Sequence, residues 1–159
     1  MKSIFQLIDV FLSRCNNAIA AFSEKHRYCS IPVLIERTDR KLHIENVDES
    51  IVDCVLEMIC ESFDIDPADK NKIRENDSVK EIYNSLYEDS FGLMDECELE
   101  RFSGMLQRLI NQKIDNSEWK KYDEMSIGEM IALAARIRNN KPVSDSEKEH
   151  ILAGQADIL

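Results

Sequence analysis

The feature that most constrains the fold of this sequence is a Ser-x-x-Glu pattern that occurs at residues 78–81, 126–129 and 144–147. In such a capping box the serine hydroxyl accepts a hydrogen bond from the backbone of the glutamate, and the carboxylate reaches back to the serine N–H. The first two boxes open apolar runs spaced three and four residues apart, which is the spacing of one helix face. The first box therefore predicts a helix that reaches about residue 87, and the second predicts a helix that ends before Pro142. The third box predicts a short tail helix.

The same spacing predicts further helices over residues 3–26, 48–63 and 95–112. Trp119 is the expected packing anchor of another short helix. The apolar stripe of the 48–63 helix consists of Ile51, Val52, Val55, Leu56, Ile59 and Phe63. We predict a mainly α, single-domain bundle of about five to seven helices. Its parts are an N-terminal helix plus connector (1–47), core helices (48–141) and a tail helix (144–159).

Residues 31–45 have the pattern closest to that of β-structure. A run of β-branched residues at 31–35 is followed by a polar turn and a short alternation at 42–44. Pro32 cannot donate to a strand ladder, so any strand there would lie at a sheet edge. A small β-hairpin and an irregular connector are both compatible with this pattern.

Composition limits the class of protein. With 159 residues and 43% hydrophobic content, one compact core can form without metals or disulfides. The longest apolar stretches are far shorter than the roughly 20 residues of a membrane span, and the N-terminus lacks a secretory signal pattern. Five scattered cysteines without a Cys-x-x-Cys pair fit neither a disulfide framework nor a zinc site. The expected location is the cytoplasm.

Negative charge is concentrated in the middle of the chain. Residues 1–47 carry seven basic and five acidic side chains, residues 101–159 carry nine of each, and residues 48–100 carry four basic and 17 acidic. Nucleic acids and anionic lipids need clustered lysine and arginine, so we expect neither nucleic acid nor membrane as a partner. Recognition of a basic partner and a solvated face that only maintains solubility are the two interpretations of the acidic segment.

No segment carries a complete catalytic, metal or cofactor motif. Residues 64–75 place carboxylates at three positions of a calcium loop, but Asp69 stands where glycine is required, and Lys70 and Lys72 lie inside the loop. Cys97 lies among acids that oppose thiolate formation. The histidines share no motif with a nucleophile, and the four glycines are isolated. We therefore predict a protein that is not an enzyme and binds no metal or cofactor.

Three segments carry a resemblance to acyl carrier proteins. Residues 89–91 (Asp-Ser-Phe) and 84–86 (Asn-Ser-Leu) resemble the Asp-Ser-Leu motif at the start of the second long helix of that family. Residues 126–129 resemble the start of its last helix. The resemblance implies a phosphopantetheine arm on Ser90 or Ser85.

The chain is also similar in type to bacterial toxin-immunity proteins, such as those of colicins and of contact-dependent growth inhibition systems. Residues 7–13 (Leu-Ile-Asp-Val-Phe-Leu-Ser), 22–24 and the turn at 109–119 carry this likeness. Many such proteins are small, acidic, cytoplasmic and helical, and they act by covering a basic nuclease. The resemblance implies a protein that binds and neutralises a cognate basic toxin.

We combine this resemblance with the charge pattern in one hypothesis, in which residues between 48 and 100 bind the basic partner. Carboxylates would steer the encounter, and aromatic side chains among them would anchor it. The predicted contact residues are Asp64, Asp66, Asp69, Asp77, Tyr83, Tyr87, Glu88, Asp89, Phe91, Asp95 and Glu96. The three aromatics are equally compatible with a place in the core. An acyl-carrier-like protein and a non-catalytic adaptor or chaperone are the alternatives.

Overall fold

The computed structural model describes Leu34 and residues 36–87, 97–115, 121–122 and 124–153. Within these ranges the chain forms five α-helices, one 3-10 helix and no strand. The elements are α1 (Glu49–Ser62), the 3-10 helix (Pro67–Lys72), α2 (Val79–Tyr87), α3 (Cys97–Ile110), α4 (Ile127–Ile137) and α5 (Asp145–Leu152). The predicted mainly helical bundle is confirmed. The helix predicted over residues 3–26 and the short helix predicted around Trp119 lie outside the described residues. None of the helices in the described ranges combines the length and the apolar character that crossing a membrane requires.

Helix α1 is the centre of the core. It begins after Asp48, whose carboxylate accepts a hydrogen bond from the Ser50 backbone N–H at 2.9 Å. All six residues of the predicted apolar stripe are buried, and Cys54, Met58 and Cys60 are buried beside them. Helices α3, α4 and α5 and the 3-10 helix all pack against α1. A central helix that is covered on most sides therefore leaves only a narrow strip for polar side chains.

Three helices end on a left-handed residue that is not glycine. Asp64, Asn111 and Asn139 have φ values of 50°, 51° and 54° after α1, α3 and α4. At each end the next residue donates to a carbonyl five positions earlier, as in the bond from Ile65 N to Cys60 O at 2.9 Å. This is the Schellman arrangement, for which asparagine and aspartate are the best substitutes for glycine. It explains how a chain with four glycines stops its helices sharply.

The first two capping boxes form as predicted, and they lie side by side. In each box the glutamate N–H donates to the serine hydroxyl, at 3.1 Å for Ser78 and 3.2 Å for Ser126. The two serines form an isolated antiparallel bridge, which joins the starts of α2 and α4. Gly128 N donates to Glu75 O at 2.8 Å, and a Cβ at Gly128 would lie 3.2 Å from that oxygen. A side chain at position 128 would therefore crowd Glu75 where the two helix starts approach each other.

The described part of residues 31–45 is an irregular connector, so the β-hairpin interpretation is wrong for residues 36–45. The connector runs beside residues 71–77 and is fixed mainly by side chains in place of a ladder. Arg37 Nη1 donates to Lys72 O at 3.3 Å, and Arg74 Nη2 donates to Thr38 O. The one backbone bond between the two segments joins Arg40 N to Asn71 O at 2.9 Å. Two arginine side chains thus perform the pairing that strand hydrogen bonds would otherwise provide.

Candidate protein-binding site

The polar strip of α1 carries four acids spaced one helical turn apart, at Glu49, Asp53, Glu57 and Glu61. Each of them is in an ion pair. Lys41 Nζ lies 2.7 Å from the carboxylate of Glu49 at the start of the helix. At its other end, Arg101 Nη2 lies 3.1 Å from Glu61 Oε1.

The two acids in the middle of the strip form a closed network with two lysines. Lys70 Nζ lies 2.8 Å from Asp53 and 3.0 Å from Glu57, while Lys148 Nζ lies 3.3 Å from Asp53 and 2.8 Å from Glu57. Partial burial alone would raise the pKa of Asp53, but the hydrogen bonds and charges of the two lysines lower it below its usual range. The network ties the 3-10 helix and α5 to the same surface of α1.

Two more acids of the middle segment are also paired. Arg37 donates two hydrogen bonds to the carboxylate of Asp77, from Nη1 at 2.6 Å and from Nη2 at 2.9 Å. Within the 3-10 helix, Lys72 Nζ lies 2.7 Å from Asp69 Oδ1. Much of the negative charge that is concentrated in the sequence is thus compensated by basic residues that the fold brings to it.

The end of α1, the turn after it and the first turn of α3 together carry five carboxylates, and we call this surface the acidic corner: Glu61, Asp64, Asp66, Glu98 and Glu100. Glu61 lies at the end of α1, Asp64 and Asp66 lie in the turn that follows, and the other two lie in the first turn of α3. The Phe63 and Phe102 ring centroids are 6.3 Å apart, which holds these two segments against each other.

The acidic corner combines a fixed backbone with exposed charge. Asp64 supplies the left-handed turn after α1, and Asp66 caps the 3-10 helix by accepting from Ala68 N at 2.9 Å. Both are exposed, as is Glu100. The C-terminal end of α1 contributes the negative pole of a helix dipole here and the N-terminal end of α3 contributes a positive one, so the side-chain carboxylates set the sign of the charge. Such an arrangement suits recognition of lysine and arginine side chains.

The structure separates the residues that the sequence predicted as contacts. Asp64 and Asp66 lie in the acidic corner, and Asp69 lies one turn further on, paired with Lys72. Asp77 is not an available contact, because it is 13% exposed and its carboxylate holds Arg37 and the backbone of Arg74. The side chain of Tyr87 lies outside the described residues, as do Glu88, Asp89, Phe91, Asp95 and Glu96.

Tyr83 belongs to the core, so its predicted role as a surface anchor is wrong. Its side chain is 4% exposed. Its ring meets that of Phe63 edge on, with centroids 6.4 Å apart. Helix α2 turns this position inward because Val79 and Ile82, one turn earlier and next to it, are buried on the same face.

Three members of the acidic corner were missed by sequence reasoning, namely Glu61, Glu98 and Glu100. The four-residue spacing of the acids along α1 marks Glu61 as solvent-facing. No comparable signal connects it with Glu98 and Glu100, because the contact between α1 and α3 is tertiary. Only the folded chain shows that these residues lie close together.

The described residues include one of the two candidate carrier serines, Ser85, and the cysteines Cys54 and Cys60. Ser85 lies in the C-terminal half of α2, and its hydroxyl donates to Ile82 O at 2.8 Å, whereas a carrier serine is expected at a helix start. Ser90 lies outside the described residues. In the described ranges, no group of three or more histidine, cysteine, aspartate or glutamate side chains could hold a metal ion. Burial raises the pKa of the Cys54 thiol to about 11 and that of Cys60 to about 12, as expected for core cysteines.

Comparison of the chain with protein-family models, with curated proteins and with solved structures finds no match.

Proposed function

We propose that this protein is a cytoplasmic, non-catalytic inhibitor that binds a basic protein through its acidic corner, in the manner of a toxin-immunity protein. The observation that carries the proposal is a contrast in exposure. Asp53 and Glu57 in the middle of α1 are partly buried and held by Lys70 and Lys148. By contrast, Asp64, Asp66 and Glu100 of the acidic corner are exposed.

Physical reasoning links this contrast to function. A nuclease toxin needs a positive cleft to hold phosphates, and fixed carboxylates can occupy that cleft in their place. Charges that are already paired within the protein contribute little to such an encounter. The exposed carboxylates of Asp64, Asp66 and Glu100 are suited to steering a cationic protein into contact.

The test begins with a search for a basic protein encoded beside the gene, and its binding is measured by titration calorimetry at about 50 mM and about 500 mM salt. The variant D64N/D66N/E100Q removes three charges and leaves residue types that tolerate the left-handed turn and the 3-10 cap. We expect it to weaken binding roughly 10- to 100-fold at low salt, because each rim charge contributes on the order of 0.5–1 kcal/mol.

The matched control is E45Q/D115N/E149Q, which removes three exposed carboxylates outside the acidic corner. It should bind within about threefold of the unmodified protein. Equal loss in both variants, or affinity that does not change with salt, contradicts the proposal. An increase in intact mass after coexpression with a phosphopantetheinyl transferase would support the acyl-carrier alternative, and partner binding unaffected by either variant would support the adaptor alternative.

A further inference from the structure

Another part of the described surface has an electrostatic character opposite to that of the acidic corner. It is a cavity of about 300 Å³ between the connector and residues 73–76. Arg40, Lys41, His43 and Arg74 line it, and Glu75 is the one carboxylate among its lining residues. Within a chain of net charge −11, Arg40, Lys41 and Arg74 form a local concentration of cationic side chains.

Arg74 is held in place before any ligand arrives. Its guanidinium donates to two backbone carbonyls, Asn71 O at 2.9 Å and Thr38 O. These contacts use two of the five N–H groups of an arginine. A side chain that is already ordered loses little further entropy when a ligand binds, which favours recognition by its remaining donors.

Arg40 differs from Arg74 because its side chain makes no hydrogen bond or ion pair within the described part of the chain. Its backbone N–H is fixed by Asn71 O at 2.9 Å, so the residue is anchored while the guanidinium remains exposed. Lys41 pairs with Glu49 at a site where the lysine side chain is 71% exposed, and such a pair exchanges readily with other anions.

We propose that this cavity, which we call the cationic pocket, binds the oxyanion group of a small molecule, either a phosphate monoester or a carboxylate. Arginine forks match both groups through paired hydrogen bonds. Leu42 supplies an apolar part of the lining, while the Ile73 side chain lies fully buried behind it, and the volume is at the lower end for ligand sites. The ligand class is therefore a small oxyanion that carries a compact apolar group. The proposal is independent of the acidic corner.

The test uses the full-length protein with phenyl phosphate, benzoate and inorganic phosphate at constant ionic strength, followed by calorimetry and by amide chemical shifts. We expect saturable binding of phenyl phosphate or benzoate with shifts at residues 40–43 and 73–76. R40Q should weaken binding about tenfold, because it removes a charged donor without removing a contact within the described structure. E75Q should strengthen binding about threefold, because it removes the repelling carboxylate.

The matched control is R136Q, which removes an exposed arginine from α4. It should bind as the unmodified protein does. Stronger binding of phenyl phosphate than of benzoate identifies a phosphate ligand, and the reverse order identifies a carboxylate. The proposal is overturned if neither ligand saturates, if added sodium chloride produces the same shifts, or if R40Q and R136Q weaken binding equally.

Discussion

The Arg138 side chain links the end of α3 to the start of α5 within the described structure. Replacing it with methionine tests how much this link contributes to stability. Its guanidinium donates to Leu109 O at 2.8 Å, at the C-terminal end of α3. It also holds both carboxylate oxygens of Glu147 in α5, at 2.9 and 3.2 Å, and reaches the carbonyls of Lys141 and Pro142, each at 3.3 Å. One side chain thus connects the ends of α3 and α4 with the start of α5.

The expected loss in the free energy of unfolding follows from the carbonyl and carboxylate groups that R138M leaves without a hydrogen-bond partner. The Arg138 side chain is 8% exposed, so its loss removes an ordered and largely buried group. An unsatisfied buried carbonyl costs about 1–3 kcal/mol, and a hydrogen bond to a charged group contributes about 1.5–3 kcal/mol. The Glu147 side chain is 37% exposed and water can replace the lost arginine, so its contribution lies toward the lower limit of the range for a charged hydrogen bond. We expect R138M to lower the free energy of unfolding by about 2–4 kcal/mol.

Urea unfolding followed by circular dichroism at 222 nm measures this free energy, with the slope m showing whether the transition remains two-state. R138K keeps the charge but loses the fork, and should cost about half as much. R136M is the matched control, since Arg136 is exposed on the same helix, and its effect should stay within about 0.5 kcal/mol.

A double-mutant cycle with E147Q separates the contribution of the ion pair from that of the carbonyl contacts. The coupling between Arg138 and Glu147 should be about 1 kcal/mol, leaving the larger part of the loss with the backbone carbonyls. If R138M costs no more than R136M, or if the coupling accounts for the whole loss, the role assigned to Arg138 is refuted.

Two other predictions concern the network on α1 and the ends of helices. Because the pKa of Asp53 is lowered in the folded protein, its stabilisation is present above the ordinary aspartate value of about 4 and is lost as the pH falls through the folded value. D53N should therefore cost roughly 0.5–1 kcal/mol near pH 7, an amount reduced by the partial exposure of the site, and progressively less as the pH falls below about 4; a cost independent of pH would contradict this. At the left-handed end of α3, N111A should lower stability by about 1 kcal/mol while N111G should not, as measured by urea unfolding; equal stability of the two variants would show that the φ of 51° imposes no strain.

Local rules in the sequence predicted most of the described fold. The bounds of α1 agree with the predicted 48–63 helix, and Asp48 caps it. The boxes at Ser78 and Ser126 both form, because a capping box involves atoms only three residues apart. At Ser144 the cap itself forms, but the Glu147 side chain is also bound by Arg138, nine residues away. Interactions that are short in sequence were predictable, and those that compete with distant partners were not.

The candidate site was less predictable because charge pairing is set by the tertiary fold. Sequence gave no reason to place Lys148 beside Asp53, 95 positions earlier, or Arg37 beside Asp77. Tyr83 shows the same limit for aromatic residues, since an aromatic among acids is compatible with a surface anchor until the helix face is known. A segment with 17 acids and four bases therefore overstated the charge that remains available for binding.

The pattern of pairing also explains why the acidic corner differs from the strip on α1. Along the helix, the acids recur every turn on one line, so a lysine from the 3-10 helix and one from α5 can each reach two of them. Beyond Ser62 the chain leaves that line at the left-handed turn of Asp64, so Asp64 and Asp66 do not continue the one-turn spacing of the acids along α1. The geometry that ends α1 thus takes the acids of the following turn off the line that Lys70 and Lys148 reach, and it leaves the side chains of Asp64 and Asp66 exposed to a partner.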